Sequence, residues 1–579
     1  MRLTSLFFRC LLLLPVLFGN PLRAEEPDGQ PPSSRPRLPI GMNLTGITDY
    51  SPGYPFKNLM WGARPWLTRH AAGGGPFDTQ FADKLALDED GYPLELPITP
   101  EGADQPQVVF TLIPNVTEPG RYVVLYDGDG EITAAMSTQL VESKPNRVVL
   151  ELKGKADDSA YEGIAITRSR KGNHVRNIRI LAEADENADL VANPFREDFL
   201  EYCRQWHVLR FMDWQQTNGS FEKEWRNRKK PTFYTMVGLG GDAIGRWGKL
   251  PTDFELRFSG GVAVEIMIQL ANMTRTDPWF CMPHRATTEY MTEFARLVKR
   301  SLDPGRKVYV EYSNELWNWG FHQAGWMLQS KIAADGMRAV SGRSGWKDDV
   351  EPEFPFEDGT VAKEGGVDHP ERTGVLVRRC FECWEKVFDG PDRARMVRVI
   401  GVQHAWLDTA RRTVNWVMAN GGADAMSPAG YFGPDDTVYQ RWEQAGAGLT
   451  ADQVIADMNE VFERNSMKWT REQAEIAKHH KLRYVVYEGG QHIQPKDQKE
   501  TDYLPALKAA QYHPGMYELY LRNFALHQEV GCDLFVAFSS VSKQGLRWGS
   551  WGHQERYGQS PDEMPKLRAL LDVNLPRTK

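Results

Sequence analysis

From about Pro194 onward the chain alternates helix-period and strand-period segments, and this rhythm constrains the fold more than any other feature. FREDFLEYCRQW (195–206) has helical periodicity, and HVLRFMDW (207–214) is an apolar strand ending in polar and aromatic residues. The same pairing recurs in GGVAVEIMIQLANMTRT with PWFCMPHRA, and in TTEYMTEFARLVKRSL with KVYVEYSNELWNW. Further along, RCFECWEKVFDG precedes MVRVIGVQHAW, LDTARRTVNWVMAN precedes ADAMSPAGYFG, EQAEIAKHHK precedes LRYVVYEGGQH, and MYELYLRNFALHQEVG precedes DLFVAFSSVS. With LPIGMNL (38–44) placed first there are eight strands. Alternation of this kind requires a parallel sheet, and eight units predict closure into a (β/α)8 barrel. A doubly wound open sheet competes, but no GxGxxG turn follows the first strand.

One stretch breaks the rhythm. Between about Gln105 and Leu181 the runs QVVFTLIPN, RYVVLYDG, RVVLELKG, GIAITRSR and RNIRILAE alternate at period two between Gly, Pro, Asn and Asp. Such spacing predicts a small antiparallel, sandwich-like insertion after the first barrel strand. The expected organisation is a signal peptide at 1–24, a disordered leader at 25–37, the first barrel strand and its loop at 38–75, the β-rich insertion at 76–190, and the rest of the barrel at 191–579.

The N-terminal MRLTSLFFRCLLLLPVLFGNPLRAEE has a basic Arg2, an apolar run and a small Ala24 before a cleavage point. The apolar run is too short for a spanning helix, although a signal anchor is the alternative. A secreted, periplasmic or cell-envelope protein is expected, with no membrane span once the signal peptide is removed. A net charge of -8 gives no basic footprint for nucleic acid. Removing the signal peptide leaves five cysteines with no regular spacing, so no disulfide framework is expected. Cys380 and Cys383 lie in a helical pattern and read as buried thiols, not a redox pair. No Cys/His cluster has metal-ligand spacing, and neither a metal nor a cofactor is called for.

In a barrel of this kind functional side chains sit at the C-terminal ends of the strands. Those ends hold Arg210, His284, Asn314, Glu315, His404, Tyr431, Glu488 and, beyond the last strand, Trp548. Two of them are carboxylates at the mouths of apolar strands, VYVEYSNE and YVVYE. Glycosidic cleavage needs two carboxyl groups, one to protonate the leaving oxygen and one to attack or to activate water. The structural alternative for each is an ion pair with an arginine. For His284 and His404 the alternative is plain packing at the barrel mouth. The chain also has 18 Trp, 20 Tyr and 26 Phe. Some of these are core; others suit a groove, because sugar rings present apolar C–H faces to aromatic rings. Trp317 and Trp319, just after Glu315, are the best placed for that.

Asn314-Glu315 at the end of strand four and Glu488 at the end of strand seven resemble the clan A glycoside hydrolases. The resemblance covers roughly 195–555 and the first strand, not the insertion. A narrower likeness, in LANMTRTDPWFCMPHRA and VYVEYSNELWN, is to little-characterised secreted bacterial proteins, some loosely described as cellulose-binding. What the resemblance implies is a retaining glycosidase, with Glu315 as acid/base, Glu488 as nucleophile and Asn314 on the sugar 2-hydroxyl. Arg210 would keep Glu488 ionised, Tyr431 would donate to Glu488, and Trp548 would floor the reacting subsite. The chain departs from that pattern in Ser427-Pro428-Ala429-Gly430-Tyr431, which lacks a His-x-Tyr, in Phe538-Ser539-Ser540, and in Leu316-Trp317 after the Asn-Glu. The expected partner is a polysaccharide or oligosaccharide. A non-catalytic carbohydrate-binding barrel is the second reading, and an envelope scaffold the third.

Overall fold

Eight short strands, each apolar and each buried almost throughout, close into a parallel barrel in sequence order. We label them β1 (Ile40–Asn43), β2 (Val208–Arg210), β3 (Asp277–Met282), β4 (Val308–Tyr312), β5 (Met396–Gly401), β6 (Ala425–Ser427), β7 (Arg483–Val486) and β8 (Leu534–Ala537). The ring closes through β1, which pairs with β2 on one side and β8 on the other. The computed structural model describes residues 36–114, 118–154, 161–239, 252–330 and 368–577. The signal peptide, nearly all of the leader, and most of the charged insertion near 340–370 lie outside the described residues.

Period-two alternation sorts every strand into an inner and an outer face. Val208, Trp279, Cys281, Tyr309, Val397, Val399, Val485, Leu534 and Val536 fill the barrel interior as one cluster. Their neighbours Leu209, Phe280, Met282, Val310, Ile400, Val486 and Phe535 point outward into the larger core shared with the helices. The helix Thr288–Ser301 shows how one such layer is built. Thr287 caps it by accepting from the Tyr290 amide, basic Lys299 and Arg300 close its last turn, and Tyr290, Met291, Phe294, Ala295 and Val298 form the buried stripe. Cys380 and Cys383 are buried free thiols on the helix His369–Glu385.

Between β1 and β2 the chain makes two four-stranded antiparallel sheets. The first orders Leu67–His70, Gln107–Leu112, Glu162–Ser169 and Gly130–Met136; the second orders Gln139–Lys144, Arg147–Leu152, Gly120–Asp127 and Arg176–Ala182. Val109, Ile132, Ile164 and Ile166 of one sheet join Val124, Leu150 and Ile180 of the other in a single apolar cluster. The first sheet begins at Leu67, ahead of the expected start of the insertion at residue 76, because Leu67–His70 pairs with Gln107–Leu112. No helix among the described residues is long and apolar enough to cross a membrane.

Candidate active site

The floor of the barrel mouth is built around Arg210, the last residue of β2, whose side chain is fully buried. Its Nε and Nη2 donate to one oxygen of Glu311 at 3.1 and 2.8 Å, and that oxygen also accepts from Trp279 Nε1 at 2.8 Å. Arg210 further donates to Asn43 Oδ1 at 3.1 Å and to Asn314 Oδ1 at 2.9 Å. The Trp279 and Tyr487 rings lie 5.5 and 5.0 Å from the guanidinium carbon. Burial opposes the charge, yet the Cys281 thiol, Glu311 and Glu488 hold Arg210 above its ordinary value. The expected partner of Arg210 was Glu488; Glu311 is the closer one, and Glu488 stands 3.5 Å from Nη1. Sequence reading missed Glu311. The signal was available in VYVEY, where the strand alternation that turns Tyr309 inward turns Glu311 inward too.

Glu315 stands at the mouth, above this floor. The turn after β4 puts Ser313 at φ 58° and Glu315 at φ 45°, a left-handed backbone that costs non-glycine residues about 1 kcal/mol or more each. That turn leaves the Glu315 side chain half-buried and reachable. Its Oε1 accepts from the Tyr487 hydroxyl at 2.6 Å and its Oε2 from Asn318 Nδ2 at 2.9 Å. Asn314 is tied down beneath it, donating to Asn218 while its carbonyl accepts from Gln323.

Glu488 follows β7 at the point where the chain enters a second small parallel pair, Gly430–Phe432 with Gly489–Gln491. A Cβ at Gly489 would come 2.5 Å from the Phe535 ring and 2.8 Å from the Gly430 carbonyl, so this crossing needs glycine. Asn43 Nδ2 donates to the Tyr487 carbonyl at 2.9 Å and pins the backbone just ahead of Glu488. Burial, and then the charge of Glu488, push the Tyr431 hydroxyl well above its ordinary value. Burial, and then the charge of Glu315, push Glu488 well above the usual carboxylate range, while Arg210 pulls it down. Sequence reasoning expected Glu488 to be the ionised member of the pair. In the structure it is the deeper carboxyl; its Oε2 receives no hydrogen bond and stands 3.5 Å from Arg210 Nη1. Asp213, in the loop after β2, is a third acid acting on Glu488, and burial pushes it up to about 6 against Arg210. His492 also feels Glu315, although burial lowers its pKa.

The other sequence candidates divide. Tyr431 packs at the site, against Trp551, Phe538 and His492. Trp317 stands edge-on to Tyr487, and Trp319 packs on His369. His284 is fully buried outside this cluster, against His322 and Trp326, and burial holds it well below its ordinary value. His404 bonds Thr470, packs on Trp469, and is pushed down to about 3 by burial. Both histidines pack against helices, His284 beside His322–Gln329 and His404 beside Met467–His479. Trp548 is exposed; the indole against Tyr431 is Trp551, because the segment after β8 runs on before it turns back to the barrel. No group of three or more His, Cys, Asp or Glu among the described residues is placed to hold a metal.

No known family model and no curated protein matches the chain. Among solved structures it is similar to the CBM22-1–GH10 modules of the Clostridium thermocellum N-terminal endo-1,4-β-D-xylanase 10B, at 11% identity over 90% of this chain and 96% of that one, with a TM-score of 0.31. It is similar to the β-glycosidase of Thermosphaera aggregans, at 9% identity over 67% and 86% of the two chains, TM-score 0.33. A third likeness is to AbfB, a family 51 α-L-arabinofuranosidase from Bifidobacterium longum, at 12% identity over 65% and 67%, TM-score 0.34. At such identities and TM-scores these glycosidase neighbours name no family for this chain.

Proposed function

We propose that the protein is a secreted retaining glycoside hydrolase acting on a polysaccharide or oligosaccharide. One observation carries this reading: two carboxyls that feel each other's charge, Glu315 and Glu488, stand at the C-terminal mouth of a (β/α)8 barrel, Glu315 held by Tyr487 and Asn318 and Glu488 beside Arg210. A sugar chain bound across the mouth brings its glycosidic oxygen to the half-buried Glu315, which acts as the acid. Glu488, then ionised beside Arg210 and Tyr431, attacks the anomeric carbon as the glycosidic bond breaks. The leaving oxygen takes the proton from Glu315. In the second step Glu315 takes a proton from water, the hydroxide displaces Glu488, and the sugar leaves with its configuration retained. Asn314 supplies an amide at the mouth for the 2-hydroxyl. The signal peptide read at residues 1–24 supports a reaction outside the cytoplasm, where polysaccharides are found.

The test is hydrolysis of a panel of plant, algal and microbial polysaccharides by the purified protein, with the anomer of the first product read by NMR. The expected result is cleavage of at least one with retention. Glu315→Gln and Glu488→Ala each lower turnover by at least about 10²–10⁴ while oligosaccharide binding persists. Near-parent hydrolysis by either variant removes the assignment. Binding by the parent with no hydrolysis of any panel member replaces it with a non-catalytic carbohydrate-binding barrel.

A further inference from the structure

A buried lysine ties the segment after β8 to the strand that follows Glu488. Lys566, in the first turn of the helix Pro565–Val573, is 0% exposed. All three of its donors are used, for Nζ donates to Gln511 Oε1 at 2.9 Å, to Gln544 Oε1 at 2.8 Å and to the Ser550 carbonyl at 2.8 Å. The Ser550 carbonyl also accepts from Gln491 Nε2 at 2.7 Å. Gln491 is buried and ends the strand Gly489–Gln491, which begins just after Glu488. Its own Oε1 accepts from the Ile493 amide, and its amide donates to the Tyr520 hydroxyl. Gln544 spans the segment after β8 from within, since its Nε2 donates to the carbonyls of Ser542 and Gly552 at 3.0 Å each. Next to Ser550 stands Trp551, whose ring lies 5.8 Å from that of Tyr431 and whose carbonyl accepts from the Ser539 amide. One backbone oxygen thus joins the last helix, the segment after β8 and the strand after Glu488.

A lysine in this place is unfavourable for stability. All three acceptors are neutral oxygens, burial holds the ammonium well below its ordinary value, and the first turn of a helix disfavours a cation. Apolar side chains of similar volume often stabilise a core more than buried ionic groups do, and what the ionic group can add is a single arrangement of its surroundings. A methionine would fill the same space, but only a group with three donors aimed apart holds three carbonyl oxygens at once. We propose that Lys566 is a positioning residue of the active site: it fixes the path of residues 542–552 and, through the carbonyl it shares with Gln491, the strand that begins just after Glu488. Glu488, and the Trp551 ring against Tyr431, thereby keep one orientation in the mouth. That this orientation serves bond cleavage rests on the glycosidase reading above; the clamp itself does not.

The experiment is hydrogen–deuterium exchange, read by mass spectrometry, on the whole protein and on Lys566→Met, Gln491→Met and Val414→Ala. Val414 is buried on the helix Leu407–Ala419, and its truncation supplies a loss of stability away from the clamp. Lys566→Met should speed exchange about tenfold or more in residues 542–554 and in 489–493, and leave the amides of β3 and β4 at the parent rate. Gln491→Met cuts the link to Ser550 from the other side and should speed exchange in 489–493; it carries the test if Lys566→Met does not fold. On a polysaccharide that the parent cleaves, both variants should lower kcat about ten- to a hundredfold with KM within about twofold, while Val414→Ala changes neither. The proposal is overturned if faster exchange stops short of 489–493, if it spreads equally to β3 and β4, or if kcat holds at the parent value. A parent that cleaves nothing, with the exchange pattern as expected, keeps the clamp and overturns only the glycosidase reading.

Discussion

Glu311 and Glu315 lie four residues apart, yet they occupy opposite kinds of environment. Glu311 is sealed into the barrel floor, where one oxygen receives two bonds from Arg210 and one from Trp279. Glu315 is half-buried at the mouth, with one donor on each oxygen, and it is coupled to a second acid instead of a cation. A carboxylate with its charge neutralised and its acceptor sites filled is set up to stay as it is. One with a neighbouring acid and solvent access is set up to exchange a proton. Floor and mouth thus differ in whether the charge is compensated, and burial alone would not separate them, because Glu488 is buried and still belongs with the mouth.

The strongest way to break this comparison is Glu311→Ala. It leaves the guanidinium of Arg210 buried without its main counter-ion, and losses of this kind cost about 3–5 kcal/mol. Chemical denaturation should show a drop of that size, with Glu315→Ala within about 1 kcal/mol of the parent. Equal losses at the two positions would end the distinction between floor and mouth.

A smaller effect of opposite sign is expected at Glu488. Its folded pKa is raised by burial and by Glu315, so the contribution of its titration is fully present below the ordinary Glu value of about 4.3 and is lost as pH rises through the folded value. Glu488→Gln removes that loss. The variant should match the parent near pH 4 and exceed it in Tm by roughly 2 °C or more at neutral pH and above. A variant less stable than the parent across the whole range would mean that the ion pair with Arg210 outweighs the burial of Glu488.

Much of this arrangement was legible in the sequence, and the failures have physical causes. Eight helix–strand alternations imply the barrel because parallel strands need crossovers, and the positions of Glu315 and Glu488 follow from counting strands. Glu311 was passed over because in VYVEY a charged residue inside an apolar strand reads as part of the mouth motif, although its parity with Tyr309 aims it at Arg210. For His284 and His404 the strand-end positions left substrate binding and plain packing both open. What decides a histidine's role there is the loop that follows, and both loops turn the ring toward a helix. Trp548 and Trp551 differ by three positions in a segment without period, so only the three-dimensional path shows which indole meets Tyr431. Tyr487 points inward by the alternation of β7, but its contact with Glu315 spans from β7 to β4, and no local pattern reports a pairing of that range.

The smallest expected effect sharpens the comparison from the mouth side. Asn318→Ala removes the hydrogen bond to Glu315 Oε2, made at 2.9 Å from a residue that is only partly buried. Water can replace an amide there, so stability should stay within about 0.5 kcal/mol of the parent by denaturant titration. If Glu315 exchanges a proton with its surroundings, its local donors hold orientation more than energy. The removal should then appear in turnover on any cleaved polysaccharide while the melting curve hardly moves. A destabilisation approaching that of Glu311→Ala would place Asn318 and Glu315 with the floor, as parts of one compensated network, and leave Glu488 as the mouth's sole uncompensated acid.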